Sequence, residues 1–188
     1  MEDYEIHMMS ARTLETQRSF THALIELMCV YPYNEITVKE IVARAKRTRQ
    51  TFYRHFTSKQ DVLDRQLDSM YNVCYALINK LPTPTLDSAL TTYFTYWYQY
   101  RDTVKRLLEV NRSTTLMREL TLKYAAKLYP LIKQYMKRSY DEPVDEFYFQ
   151  QFIFGGLVQM KMQWFSRGCD VPPEQMARKL LSFWRESL

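Results

Sequence analysis

Arg49, Gln50, Thr51, Tyr53, His55 and Lys59 fall within eleven consecutive residues, and together they carry an unusual density of hydrogen-bond donors. An arginine guanidinium can hold guanine through two hydrogen bonds, and a glutamine amide can do the same with adenine. Lysine ammonium and tyrosine hydroxyl groups suit phosphate oxygens. Bond-making chemistry has no comparable set. His7, His22 and His55 are scattered, and Cys29, Cys74 and Cys169 are odd in number and far apart. No Cys–His or Ser–His spacing, glycine loop or metal-ligand pattern is present. No catalytic residue, metal or cofactor is therefore expected, and the thiols read as buried or half-buried groups in a reducing compartment.

A donor cluster of this kind works only if a short helix presents it and a second helix braces that one. The sequence supplies both. Thr37 is placed to cap a helix whose apolar positions are Val38, Ile41, Val42 and Ala45, with Glu40 completing a capping box. Thr48 is placed to cap the next helix, in which Phe52 and Phe56 face inward and Arg49, Gln50, Tyr53 and His55 face outward. Upstream, Phe20, Leu24, Leu27 and Val30 give Leu14 to Val30 a helical period. Downstream, Ser58 opens a helix carrying Val62, Leu63, Leu67, Met70, Tyr71 and Leu77, which stops at Leu81-Pro82-Thr83-Pro84. Further helices are expected over Leu86–Tyr100, Asp102–Val110, Ser113–Ser139, Val144–Arg167 and Pro173–Leu188. Only 3 glycines occur in 188 residues, too few for a hairpin-rich fold. The expectation is an all-α chain of about nine helices. A three-helix, helix-turn-helix domain would span residues 1–57, and a helical dimerisation and effector-binding bundle residues 58–188.

Charge is focused on the same segment. Between Ile36 and Gln60 seven Lys and Arg face the single Glu40, an excess of six where the whole chain carries +5. Such focusing is the footprint expected of a polyanion partner. A second basic stretch, Arg101 to Arg138, places Lys123 with Lys127 and Lys133 with Lys137 one turn apart, and reads as a solvated helix face. No run of eighteen apolar residues exists and the N-terminus, MEDYEIHMMS, has no secretion-signal pattern, so no membrane role is expected and the setting is cytoplasmic.

The run ITVKEIVARAKRTRQTFYRHFTSKQDVL resembles the DNA-binding segment of the tetracycline-repressor (TetR) family of bacterial regulators. The match is carried by Thr37-Val38, Ile41, Ala45, Thr48, Thr51-Phe52-Tyr53, His55-Phe56 and Ser58-Lys59. More weakly, FIFGGLVQMKMQWFSRGCDVPPEQMARKLLSFW resembles the last two helices of a Gram-positive branch that includes regulators of dihydroxyacetone-kinase operons. The resemblance implies that Arg49, Gln50 and Thr51 lie nearest the base edges of double-stranded DNA. It implies phosphate contacts for Tyr53, His55 and Lys59, and contacts to the other strand's backbone for Thr37 and Lys39. The family usually has glycine and then an apolar residue where this chain has Lys46 and Arg47. Loss of that glycine leads us to expect a longer or looser turn, with both cations facing the duplex beside Thr48. Gln50 stands where the family has a small residue, and adds a side chain able to read bases.

Two further roles are expected beyond Pro84. Tyr93, Tyr96, Trp97 and Tyr100, with Phe152, Met160 and Trp164, supply apolar surface for a core or for the lining of a small-molecule effector pocket. Gly155-Gly156 inside a helix is costly unless something approaches closely. The resemblance implies a homodimer through the last two helices, using Phe152, Gly155, Gly156, Leu180, Phe183 and Trp184, with Leu181 beside them. The leading expectation is a dimeric regulator, read as a repressor. The alternative is a helical coactivator that keeps the fold and acts through a partner protein without reading DNA.

Overall fold

A computed structural model describes residues 2–83, 85–111 and 146–186. Among these the chain is helical throughout, with eight α-helices, one 3-10 turn and no strand. The helix expected over 113–139 lies outside the described residues. The helices are α1 (Glu2–Met28), α2 (Val38–Arg44), α3 (Arg49–His55), α4 (Lys59–Asn79), α5 (Leu86–Tyr98), α6 (Arg101–Val110), α7 (Glu146–Ser166) and α8 (Pro173–Glu186). Compactness divides the chain into two units, residues 1–70 and 71–188, with the border inside α4.

In the first unit α1 begins twelve residues before the apolar period does. Residues 2–13 are rich in good helix formers (Glu, Met, Ala, Arg), whose propensity extends the helix. The buried stripe also differs from the expected one. It runs through Phe20, Ala23, Leu24 and Met28, while Val30 lies beyond the helix and is 63% exposed. The core closes with Ile36, Ile41, Val42, Phe52, Phe56, Val62 and Leu63. At its centre Phe20 meets Phe52 edge-to-face at 5.2 Å and Phe56 at 6.2 Å.

Hydroxyl caps fix each short helix. Thr37 accepts from the Glu40 N–H at 3.3 Å, and Glu40 accepts from the Thr37 N–H at 2.7 Å, which closes the expected capping box. These bonds hold the Glu40 carboxyl below the usual carboxylate range. Thr48 accepts from the Thr51 N–H at 3.1 Å, and Ser58 from the Asp61 N–H at 3.1 Å. Asp61 in turn accepts from Thr57 N–H at 2.9 Å and from two nitrogens of Arg65 at 2.7 and 2.9 Å, which lowers its pKa.

The turn after α2 is neither longer nor looser than a glycine turn. Lys46 itself adopts the left-handed conformation, with φ of 52°. The Lys46 N–H donates to Ala43 C=O at 3.2 Å and the Arg47 N–H to Val42 C=O at 3.0 Å, the paired bonds of a Schellman C-cap. These two bonds, with the Thr48 cap immediately following, impose the geometry that glycine would adopt freely. The same motif ends α7, where Gly168 has φ of 72° and Cys169 donates to Trp164 C=O at 2.8 Å.

In the second unit α5 packs on α8 and α6 on α7. Its core contains Tyr71, Cys74 and Ile78 of α4, the α5 residues Leu90, Tyr93, Phe94, Tyr96 and Trp97, and Ile153, Leu157, Trp164 and Phe165 of α7. Met176, Ala177, Leu180 and Leu181 of α8 complete it.

Candidate nucleic-acid interface

The outward stripe of α3 consists of Arg49, Gln50, Tyr53 and Arg54, all exposed, with Tyr53 at 51%. Their spacing, i, i+1, i+4 and i+5, is one face of a helix. Thr51 and His55 fall at its edge and are half-buried. Arg54 was absent from the expected set, yet the helical period alone puts it beside Tyr53. His55 was expected to point outward, but that period carries it toward the Phe52–Phe56 side. Its Nε2 is buried and meets no partner among the described residues. Burial, helped by Arg54 and Arg65, lowers its pKa, so the imidazole is neutral at pH 7 and adds no cation to the face.

The seven cations of the segment divide by what holds them. Arg44 is tied to Glu26 by a 2.6 Å bond, which keeps that carboxyl ionised. Arg47 approaches Glu15 at 3.7 Å, with both side chains well exposed. Lys39, Lys46, Arg49 and Arg54 are exposed and form no ion pair among the described residues. Lys59 is different again. Its ammonium donates to the carbonyls of Tyr33 and Ile36 at 2.7 Å and of Asn34 at 3.3 Å, and it lies 4.5 Å from the Tyr33 ring centroid. Tyr33 in turn donates to Gln60 at 2.8 Å. All three ammonium protons are therefore directed at the turn before α2, and partial burial lowers the lysine's pKa. Exposed Thr37, Lys39, Lys46, Arg47 and Thr48 lie on α2, the turn and the caps that flank α3.

Lys46→Gly relieves the left-handed strain and should stabilise the protein by about 1 kcal/mol in a thermal melt. It also removes a free cation, so the slope of log affinity against log salt should shrink by about one. Lys59→Met should lower the melting temperature while leaving that slope unchanged. A changed slope at unchanged stability would instead make Lys59 a phosphate contact.

The residues expected beyond Pro84 separate into two groups. Tyr93, Tyr96, Trp97 and Trp164 are buried and joined ring to ring, with Tyr100 half-buried at 5.6 Å from Tyr96 and 6.1 Å from Trp97. Trp164 stacks on Tyr98 at 5.8 Å and donates its indole N–H to Val171 C=O at 2.8 Å. Met160 is half-buried. Phe152 is 65% exposed and shares the outer face of α7 with Tyr148, Gly155 and Gly156. A Cβ added at either glycine would meet nothing within 4 Å among the described residues. Phe183 is 57% exposed, whereas Leu180 is 1% exposed and belongs to the core. The Trp184 side chain lies outside the described residues. One buried group was missed by sequence reasoning, Lys161, whose place four residues after Leu157 and three before Trp164 marks it as inward-facing.

No group of His, Cys, Asp and Glu among the described residues could hold a metal, and no described helix is long and apolar enough to cross a membrane.

A short helix pair with an outward donor stripe, joined to a larger helical unit, defines a helix-turn-helix transcription regulator. Residues 21–65 match the model for bacterial regulatory proteins of the tetR family, and residues 85–185 match that for a transcriptional regulator C-terminal region. The chain belongs to the TetR family and is a regulator rather than an enzyme. The fold is shared with a TetR transcriptional regulator from Streptococcus agalactiae 2603V, at 19% identity and a TM-score of 0.70, over 95% of this chain and 98% of that one. It is also similar to the fatty acid degradation regulator FadR from Bacillus halodurans, at 18% identity and a TM-score of 0.61, covering 88% of this chain and 92% of that one. The dihydroxyacetone kinase operon activator DhaS matches at 16% identity and a TM-score of 0.58, over 92% and 95% respectively. No curated protein matches the chain.

Proposed function

We propose that this regulator reads operator DNA as a homodimer, with residues 1–57 as the reading part and 58–188 as the dimerisation and effector part, in the cytoplasm. The carrying observation is the exposed Arg49-Gln50-Tyr53-Arg54 stripe, flanked by Lys39 and Lys46, which form no ion pair among the described residues. Arg49, Gln50 and Thr51 lie at the N-terminal end of α3 and meet base edges. Tyr53, Arg54, Lys39, Lys46 and Arg47 meet phosphates, with Thr37 and Thr48 beside them. His55 and Lys59 support this surface from behind. The regular Schellman turn supports direct reading by this chain over action through a partner protein alone.

Dimerisation is favoured by the apolar outer face of α7, where Tyr148 and Phe152 precede two glycines that no described residue of the same chain approaches. A second α7 laid there would use the close approach that paired glycines permit. Two reading heads would then meet half-sites about 34 Å apart. On this reading the dimer acts as a repressor, blocking a promoter that its operator overlaps, and is relieved by a small effector in the second unit.

Selection of bound fragments from genomic DNA, followed by titration at several salt concentrations, tests the reading. Four to five free cations per reading head predict a slope near −4 per head, or about −0.9 per neutralised phosphate. Arg49→Ala should cost about 1–3 kcal/mol on the selected site and relax base preference at one position. Enrichment of no sequence by the purified protein would overturn the proposal, and binding only after a partner protein is added would favour the coactivator reading.

A further inference from the structure

Lys161 is 5% exposed and sits on the inward face of α7. Its ammonium lies 4.3 Å from the ring centroid of Trp97, 5.3 Å from that of Tyr93 and 5.5 Å from that of Tyr71. It donates to the Tyr71 hydroxyl at 3.3 Å. Three ring faces offset part of the cost of desolvating a cation, but they bring no opposite charge. Among the described residues, the other two N–H groups of the ammonium meet no acceptor and no carboxylate pairs with it. The Trp97 indole N–H is likewise buried and meets no acceptor. Buried donors nearly always have partners. The two groups are neighbours: the ammonium, with one hydrogen bond to Tyr71, lies 4.3 Å from the centroid of the ring that carries the unpartnered indole N–H.

An oxygen-rich anion satisfies both at once. Water offers a weaker solution, because it supplies acceptor capacity without the charge that a buried ammonium needs. We propose that Lys161 and Trp97 are the receptor for the carboxylate of a small aromatic acid, whose flat body lies against Tyr71 and Tyr93. The effector reading given above supplies the regulatory meaning of this site, and the site names the chemical class of that effector. Lys161 pairs with the carboxylate, the Trp97 N–H gives it a second hydrogen bond, and the surrounding rings select against large polar groups.

Proton linkage follows. Burial draws the Lys161 pKa down to about 7, and an arriving carboxylate draws it back up. The other ionisable groups packed around it are Tyr71 and Cys74 on α4 and Tyr93 on α5. Burial pushes Cys74 up to about 12 and Tyr93 well above its ordinary value, so neither titrates near neutrality. Anion binding above pH 7 therefore takes up a proton at Lys161 Nζ.

Calorimetric titration of the full-length protein with 1-naphthoate and with its neutral isostere 1-naphthamide tests this. Naphthoate should bind more tightly at pH 6.5, lose about 20-fold in affinity by pH 8.5, and show proton uptake in buffers of different ionisation enthalpy. Naphthamide should bind equally at both values. Lys161→Met should remove the preference for naphthoate, and Trp97→Phe should weaken naphthoate several-fold while preserving the ring. Equal affinity for the two compounds, no binding of naphthoate at millimolar concentration, or a preference independent of pH would overturn the proposal. These titrations contain no DNA, so their failure leaves operator reading intact, and failure of the fragment selection leaves this site intact.

Discussion

Phe52→Ala should melt the first 70 residues well before the rest of the chain loses its fold. Phe52 is fully buried, with Phe20 at 5.2 Å, Tyr53 at 5.4 Å and Phe56 at 5.8 Å around it. Removing so large a ring from a packed site costs about 3–5 kcal/mol, through lost burial and the cavity left behind. A unit of this size has a stability on the order of 3–10 kcal/mol, so most of the margin is consumed. Far-UV circular dichroism would register this as an early transition. The three tryptophans, Trp97, Trp164 and Trp184, all lie in residues 71–188, so their emission should hold until a later temperature. DNA binding should disappear with the early transition, although Phe52 reaches no base. Phe52→Leu, which keeps most of the volume, should cost about 1.5 kcal/mol or less and retain binding. Coincident dichroism and fluorescence transitions at the wild-type temperature would refute the central role of this ring.

That experiment concerns the part of the molecule most legible in the sequence. Thr37-x-x-Glu40, Thr48 and Ser58 announce their helices because capping is local: the partner lies three residues away and nothing distant can override it. Phe52 and Phe56 declare their face through the same period. That period also places Arg54 outward and His55 toward the core, although the chemical type of a histidine favours the outward reading. The fate of the other cations was not legible. Whether Lys59 points at solvent or at the carbonyls of Tyr33, Asn34 and Ile36 depends on a turn about 25 residues upstream, and its type suits either use. Lys46 shows the same limit. Its sequence lacks the glycine that favours a left-handed turn, yet the two C-cap bonds and the Thr48 cap outweigh a strain of about 1–2 kcal/mol. In the second unit the aromatic pattern is compatible with a core or a pocket lining, whereas Lys161 keeps the inward period of Leu157 and Trp164 but has a side-chain type that argues against burial.

Lys161→Met should make the protein more stable at pH 7. A buried ammonium with no carboxylate partner among the described residues is a net cost, and replacing such a group by an apolar side chain of similar length recovers about 1–4 kcal/mol. For a chain of this size, that corresponds to a rise in melting temperature of about 2–4 °C for each kcal/mol. The pH dependence distinguishes this from a simple packing gain. The Lys161 pKa is about 7 in the folded chain and returns to its ordinary 10.5 on unfolding. Between these values the unfolded chain holds more protons, so wild-type stability climbs as pH rises through the window. The advantage of Lys161→Met should therefore shrink between pH 7 and 9, by about 1.4 kcal/mol per unit at most. Measuring both proteins below pH 9 avoids tyrosine ionisation, which acts in the opposite direction because burial raises Tyr93. A variant no more stable than wild type at pH 7, or one whose advantage does not change with pH, would mean that the ammonium is already compensated inside the fold. The expected outcome leads to a different conclusion: a side chain that weakens the fold, and gives up that weakness when an uncharged thioether replaces its ammonium-tipped chain, is held in place by what it binds.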